Sequence, residues 1–218
     1  MIVGVDEAGR GPVIGPLVVA GVAVESDVPL RQMNCRDSKK LSPEKREALA
    51  PEIEKVSRFE VVVIPAEQID VMRAEMSLND FEAKLFAEVI AKLRPETAYV
   101  DAADVDEIEF KRSVRRELAF DVEIVSHHNA DELFPVVSAA SILAKVCRDR
   151  EMRSIEESIG MTIGSGYPSD PDTIAFLEKW IREKGSLPPH TRASWDTARR
   201  LLAESKNRKL DDFGSRKP

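Results

Sequence analysis

Two carboxylates, Asp6 and Glu7, stand side by side near the amino end, and a glycine turn, Gly9-Arg10-Gly11, follows at once. Asp101 comes later, with Asp104 and Asp106 close behind it, and then Asp131. Acidic oxygens of this kind suit Mg²⁺ or Mn²⁺. A pair of such ions serves phosphodiester cleavage, one preparing the attacking water and the other stabilising the leaving oxygen. The pattern alone also accommodates a solvated strand end followed by a structural turn. Two phosphate-loop readings of the stretch fail. Gly4 and Gly9 have Walker spacing, but Arg10-Gly11 follows where Lys and Ser or Thr are needed. Gly9-x-Gly11 with Gly15 has the outline of a dinucleotide fingerprint, yet that motif opens a helix. Pro12, Pro16 and a Val-rich run oppose a helix there.

Strands must bring these acids together. Short apolar runs at 1–5, 13–24, 59–64, 97–100 and 121–125 read as strands. Asp6 follows the first run, Asp101 the fourth, and Asp131 lies beyond the fifth. Neighbouring strand residues point to opposite faces, so Asp6 and Glu7 share a site only where the strand ends or twists. Ser42-Pro43-Glu44 opens a helix to about 56, with a break expected at Pro51. Apolar residues at 78, 81, 85, 86, 89, 90 and 93 give a second helix over 77–93. Further helices are predicted at 106–118, 136–159, 171–184 and 193–205. The 136–159 helix is apolar on most sides at its start, which calls for burial. The order predicts an α/β fold with a mixed sheet, its first strands antiparallel and its helix-separated strands parallel.

With 218 residues, 43% hydrophobic and 33% charged, the chain is neither disordered nor a disulfide-rich mini-protein. Its apolar runs fall well short of the ~20 residues that span a bilayer. The start lacks the basic residues of a signal peptide, which points to the cytoplasm. Cys35 and Cys147 form no Cys-x-x-Cys pair and read as free thiols. The formal charge is −7, but residues 182–218 carry +5 and the first 181 carry −12. Indiscriminate nucleic-acid binding is therefore disfavoured. An acidic cation site with separate basic patches fits, and so does an ordinary acidic enzyme.

Five blocks, in order, carry a family resemblance over roughly residues 1–195. They are Asp6 to Gly11, Asp37-Ser38-Lys39-Lys40-Leu41, Tyr99-Val100-Asp101, Pro135 to Lys145, and Gly164-Ser-Gly-Tyr167-Pro. Together they resemble ribonuclease HII, the type 2 ribonucleases H. The resemblance implies a ribonuclease H-like fold: a central five-stranded mixed β-sheet flanked by helices, plus a C-terminal helical subdomain. The division this suggests is 1–160 catalytic, 161–205 helical, and 206–218 a flexible basic tail. It implies cleavage of RNA in RNA/DNA hybrids and 5′ to single ribonucleotides embedded in duplex DNA, leaving 3′-hydroxyl and 5′-phosphate ends.

The family's carboxylates fall on Asp6, Glu7, Asp101 and Asp131, implying two Mg²⁺ or Mn²⁺ ions. Gly9, Arg10 and Gly11 match the element that reads the 2′-hydroxyl, the group that distinguishes RNA from DNA. Tyr167 matches a tyrosine that stacks on the following sugar. Ser38, Lys39, Lys40, Ser138, Ser141 and Lys145 are candidate phosphate contacts. His127 and His128 precede Asp131 but fall outside the carboxylate set and read as structural or surface residues. The tail, with Leu210 and Phe213, resembles a sliding-clamp-binding motif, although Asn207 replaces the usual Gln and Gly214 the second aromatic. A monomer with no membrane association is expected. The rival readings are a DNA nuclease or recombinase of the same broad fold, and a hybrid-binding module that does not cut.

Overall fold

The structure, a computed structural model, describes residues 1–33, 35 and 41–214, with 208–214 by backbone alone. The strands are β1 (Ile2–Ala8), β2 (Leu17–Val24), β3 (Arg58–Ile64), β4 (Thr97–Asp101) and β5 (Glu123–His127). They form one sheet in the order β3-β2-β1-β4-β5. β1 runs antiparallel to β2 over its whole length, from Ile2 opposite Val24 to Ala8 opposite Val18. It runs parallel to β4 only from Ile2 opposite Thr97 to Val5 opposite Val100. β4 is parallel to β5 through Asp101 opposite His127. β2 is buried at every position, as a strand covered on both faces must be.

The helices are α1 (Val28–Gln32), α2 (Pro43–Val56), α3 (Ala66–Glu75), α4 (Leu78–Leu93), α5 (Glu107–Arg116), α6 (Ala130–Leu133), α7 (Pro135–Ile159), α8 (Pro171–Lys184) and α9 (Asp196–Gly214). Two of them cover opposite faces of β1 and β2. A Cβ placed on Gly21 would lie 2.3 Å from Val89 of α4, and one on Gly4 would lie 2.3 Å from the carbonyl carbon of Val136 in α7. The first turn of α7 thus rests directly on β1, an approach that only glycine at position 4 permits.

The chain falls into two compact units. One comprises residues 1–9, 17–63 and 75–149 and holds the sheet and the start of α7. Its core joins Val18, Ala20 and Val22 of β2 to Val137, Ala140 and Ala144 of α7. The other comprises 10–16, 64–74 and 150 onward. It has its own core, which includes Val13, Ile14, Ile155, Ile163, Phe176, Leu177 and Leu201.

Several boundaries differ from the sequence expectation. The second strand starts at Leu17 rather than 13, because 13–16 belong to the other unit: Val13 and Ile14 donate to the Gly166 carbonyl. α2 continues through Pro51, held by the buried residues Ala50 and Ile53 on either side, where burial outweighs the lost backbone bond. α3 was not anticipated. Pro65, directly after β3, starts this helix, its carbonyl accepting from the Gln68 and Ile69 N–H groups. α9 begins three residues later than expected and runs to Gly214, past position 206 where a tail was expected to begin. That stretch is rich in Lys, Arg and Leu, which favour helix.

Candidate active site

β1 loses its β4 neighbour after Val5 while keeping β2 beside it. Asp6 and Glu7 therefore sit where half of the strand's ladder has ended, and Asp101 closes β4 at the same level. The strand itself does not end there, contrary to the condition drawn from its pleat. Pleat alternation puts Asp6 on the α7 face of the sheet, with Gly4 and Ala8. Asp101 Oδ1 accepts the Ala130 N–H at 2.9 Å. This bond ties the start of α6 to the end of β4, and the next residue is Asp131. Asn129, at φ 53°, makes the left-handed turn that leads into α6.

Asp6 and Asp131 are 4% and 1% exposed, unusual for acids. Asp6 Oδ1 accepts the Glu7 N–H at 2.7 Å. Burial pushes the Asp6 carboxyl up to about 7, and the neighbouring charge of Asp101 adds to the rise. The positive charge of Lys145, a bond from Ser141 and the Glu7 N–H oppose it only in part. Ser141 and Lys145 lie one turn apart on α7, and Lys145 Nζ donates to Ser141 Oγ at 2.5 Å. One fixed cation thus faces at least two carboxylates, and the remaining repulsion calls for further positive charge.

In the second unit, Arg10, Gly11 and Tyr167 belong together. The chain leaves β1 through Gly9 at φ 86°, a conformation costly for any residue with a side chain. A Cβ on Gly11 would lie 3.6 Å from Cε1 of Tyr167, so the α-carbon of Gly11 faces the ring. Tyr167 is 38% exposed, an aromatic left open beside a backbone left bare. Its loop is built by Asp170, which accepts from both the Ser165 N–H and the Ser165 hydroxyl at 2.6 Å.

The family described as ribonuclease HII matches residues 3–198. A ribonuclease HII of Methanoregula boonei is 51% identical over 213 residues, covering 98% of this chain and 100% of its own. The ribonuclease HII in a PCNA complex from Archaeoglobus fulgidus is 44% identical with a TM-score of 0.86, covering 92% of this chain and 96% of that one. Ribonuclease H2 from Pyrococcus horikoshii is 38% identical with a TM-score of 0.88, covering 94% and 98%. The chain belongs to the ribonuclease HII family. It is thus a hydrolytic endoribonuclease of the ribonuclease H type, acting on RNA/DNA hybrids, with the ribonuclease H-like fold.

Not every acid near the strand ends of this chain joins the cluster. Asp104 accepts from Asn79 at 2.7 Å, and Asp106 caps α5 by accepting from Ile108 and Glu109. His128 is engaged by Glu107, which accepts its backbone N–H at 2.6 Å, and its ring lies 3.1 Å from the Val105 carbonyl. The His127 ring packs beside Phe134. Ser141, expected on a phosphate, is fully buried and directed at Asp6 instead, and Ser138 is equally buried. Lys145, also expected on a phosphate, serves Ser141 and Asp6. Ser38, Lys39 and Lys40 lie outside the described residues, as do the side chains of Leu210 and Phe213. Sequence reading missed Arg192, which is fully buried. A lone Arg in a polar stretch carries no signal of burial.

Among the described residues, no group of three or more His, Cys, Asp or Glu side chains forms a ready-made metal cage. The donors around Asp6 are hard oxygens, and a desolvated acid pair with one compensating lysine fits a divalent cation. Among the described residues no helix is long and apolar enough to cross a membrane.

Proposed function

We propose that this chain cuts on the 5′ side of single ribonucleotides embedded in duplex DNA as well as within hybrids. The ends left would be 3′-hydroxyl and 5′-phosphate, as primer removal and ribonucleotide excision repair require. One observation carries the reading: Asp6 and Asp101 converge at the ends of adjacent parallel strands, in a setting that drives Asp6 toward protonation. Asp6, Glu7, Asp101 and Asp131 would hold two Mg²⁺ or Mn²⁺ ions. When bound, such ions activate the attacking water and stabilise the leaving oxygen. Lys145 and Ser141 hold Asp6 in place and offset part of its charge. Asp101 orients the segment carrying Asp131 through its bond to Ala130.

Discrimination between RNA and DNA falls to Gly9, Arg10 and Gly11, whose peptide groups can hydrogen-bond a 2′-hydroxyl. Tyr167 offers its ring to the following sugar, and Ser38, Lys39 and Lys40 grip phosphates. Leu210 and Phe213 dock on a sliding clamp. The relative solved with PCNA supports this last point. The protein works as a monomer in the cytoplasm.

The test is a DNA duplex carrying one ribonucleotide, incubated with Mg²⁺ or Mn²⁺, with an all-DNA duplex and Asp6→Asn as controls. A single cut 5′ to the ribonucleotide, absent in both controls, is the expected result. Equal cutting of all-DNA duplex would point to a DNA nuclease or recombinase. Tight binding without cutting would point to a hybrid-binding module.

A further inference from the structure

The glycine turn is held by residues far along the chain. Arg192 is fully buried, yet its side chain ends on backbone oxygens. Its Nη1 donates to the Arg10 carbonyl at 2.9 Å and its Nε to the Gly15 carbonyl at 3.1 Å, while its own backbone N–H donates to Val13 at 2.8 Å. Trp195 Nε1 donates to the Gly11 carbonyl at 3.3 Å. The guanidinium groups of Arg192 and Arg73 each lie 4.9 Å from the Trp195 ring centre, which fixes the indole. Asp70 of α3 fixes the backbone between them, accepting from the Ala193 and Ser194 N–H groups at 2.7 and 3.0 Å.

These bonds have a common sense. Each one on the turn takes a carbonyl oxygen. In a trans peptide the N–H points opposite to the C=O. Drawing the Arg10 carbonyl toward Arg192 therefore turns the Gly11 N–H the other way. Holding the Gly11 carbonyl on Trp195 fixes the next peptide plane, which contributes no N–H because Pro12 follows. A guanidinium fork can hold two carbonyls at a set separation, and a lysine cannot.

We infer that Arg192 and Trp195 are positioning residues for ribonucleotide recognition. They pin the carbonyls of the Gly9-Arg10-Gly11 turn so that its N–H side is set for a 2′-hydroxyl. The inference rests on the proposed reading of that turn. It extends the specificity element to residues that touch no substrate and that neither spacing nor motif singled out.

The test uses the full chain with Arg192→Lys and Trp195→Phe. Two DNA duplexes serve as probes, one carrying a single ribonucleotide and the other a 2′-deoxy-2′-fluoro nucleotide at the same place. The fluorine keeps a ribose-like pucker but offers no hydroxyl. Binding of both is measured in Ca²⁺, and kcat/KM on the ribonucleotide duplex in Mg²⁺. Wild type should prefer the ribonucleotide, and in the variants that preference should shrink by about 10-fold, the size of one well-made hydrogen bond to a fixed donor. The kcat/KM should fall in step. A purely structural role would weaken both duplexes equally and leave the preference intact, which would overturn the inference. If Arg192→Lys does not fold, Trp195→Phe decides, since it keeps the ring and removes one N–H. Wild type that binds both duplexes alike refutes the 2′-hydroxyl reading itself, and the positioning role with it.

Discussion

Replacing Asp6 with Asn should stabilise the metal-free protein, by an amount that grows with pH. The carboxyl titrates near 7 in the folded chain against 3.8 for an ordinary aspartate. The folded state therefore holds the proton more tightly than the unfolded state. Raising the pH removes stability, beginning near pH 4 and ending just above pH 7. At about 1.4 kcal/mol per pH unit, that interval sets a ceiling of about 4 kcal/mol. Asn resembles the neutral acid in size and charge and does not titrate. For a chain of this length the ceiling corresponds to a Tm difference on the order of 10 °C.

The assay is thermal unfolding of both proteins in EDTA from pH 4 to 8.5. The two curves should meet near pH 4, separate through pH 7 and run parallel above it. Mg²⁺ should then raise the wild-type Tm at pH 8 more than that of the variant, because a cation binding the folded state stabilises it. A constant offset across the pH range would refute the reasoning, and so would an Asn variant less stable than wild type at pH 8. Either result would mean that Asp6 is already balanced by its neighbours.

Asp101→Asn should lower the Asp6 titration point by removing the nearest like charge, while its amide oxygen still accepts from Ala130. Carboxyl NMR would follow the shift, and cutting should drop at least about 10³-fold if Asp101 holds an ion. Gly4→Ala should destabilise by ~3 kcal/mol or more in urea, since its Cβ would lie 2.3 Å from backbone that cannot yield. Tyr167→Ala should lose on the order of 10-fold in kcat/KM on a single-ribonucleotide duplex, the worth of one aromatic contact. Tyr167→Phe should stay within about 3-fold, and equal loss in both would assign the role to the hydroxyl instead.

Asp6 and Asp101 were legible because each directly follows a short apolar run, residues 1–5 and 97–100. Their convergence was not legible from pattern alone. It depends on β4 being the parallel neighbour of β1 and on their pairing stopping at Val5, one residue before Asp6, which is a matter of register. The family blocks supplied the acids that spacing left open. The bond from Ser141 to Asp6 was not legible for a related reason. Its place on the helix was plain, but the face it turns to β1 is set where Gly4 meets Val136, a contact between residues far apart in the sequence. Residues 13–16 were read as strand because Val and Ile favour it locally. Burial beside Gly166 and Thr191 overrode that preference.

The incomplete compensation at Asp6 is itself the functional feature. Lys145 lies one turn beyond Ser141, and its charge only partly offsets the burial of Asp6 and the charge of Asp101. A second fixed cation on α7 would bring Asp6 back to its ordinary range and stabilise the empty fold. It would also weaken the electrostatic reason to take up a divalent ion. A site with no lysine would face stronger repulsion between Asp6 and Asp101, enough to disturb the ends of β1 and β4. One lysine leaves the sheet intact and the acids still short of positive charge. That is the balance the proposed function would require of a site that folds without its ions and then binds them together with a phosphate.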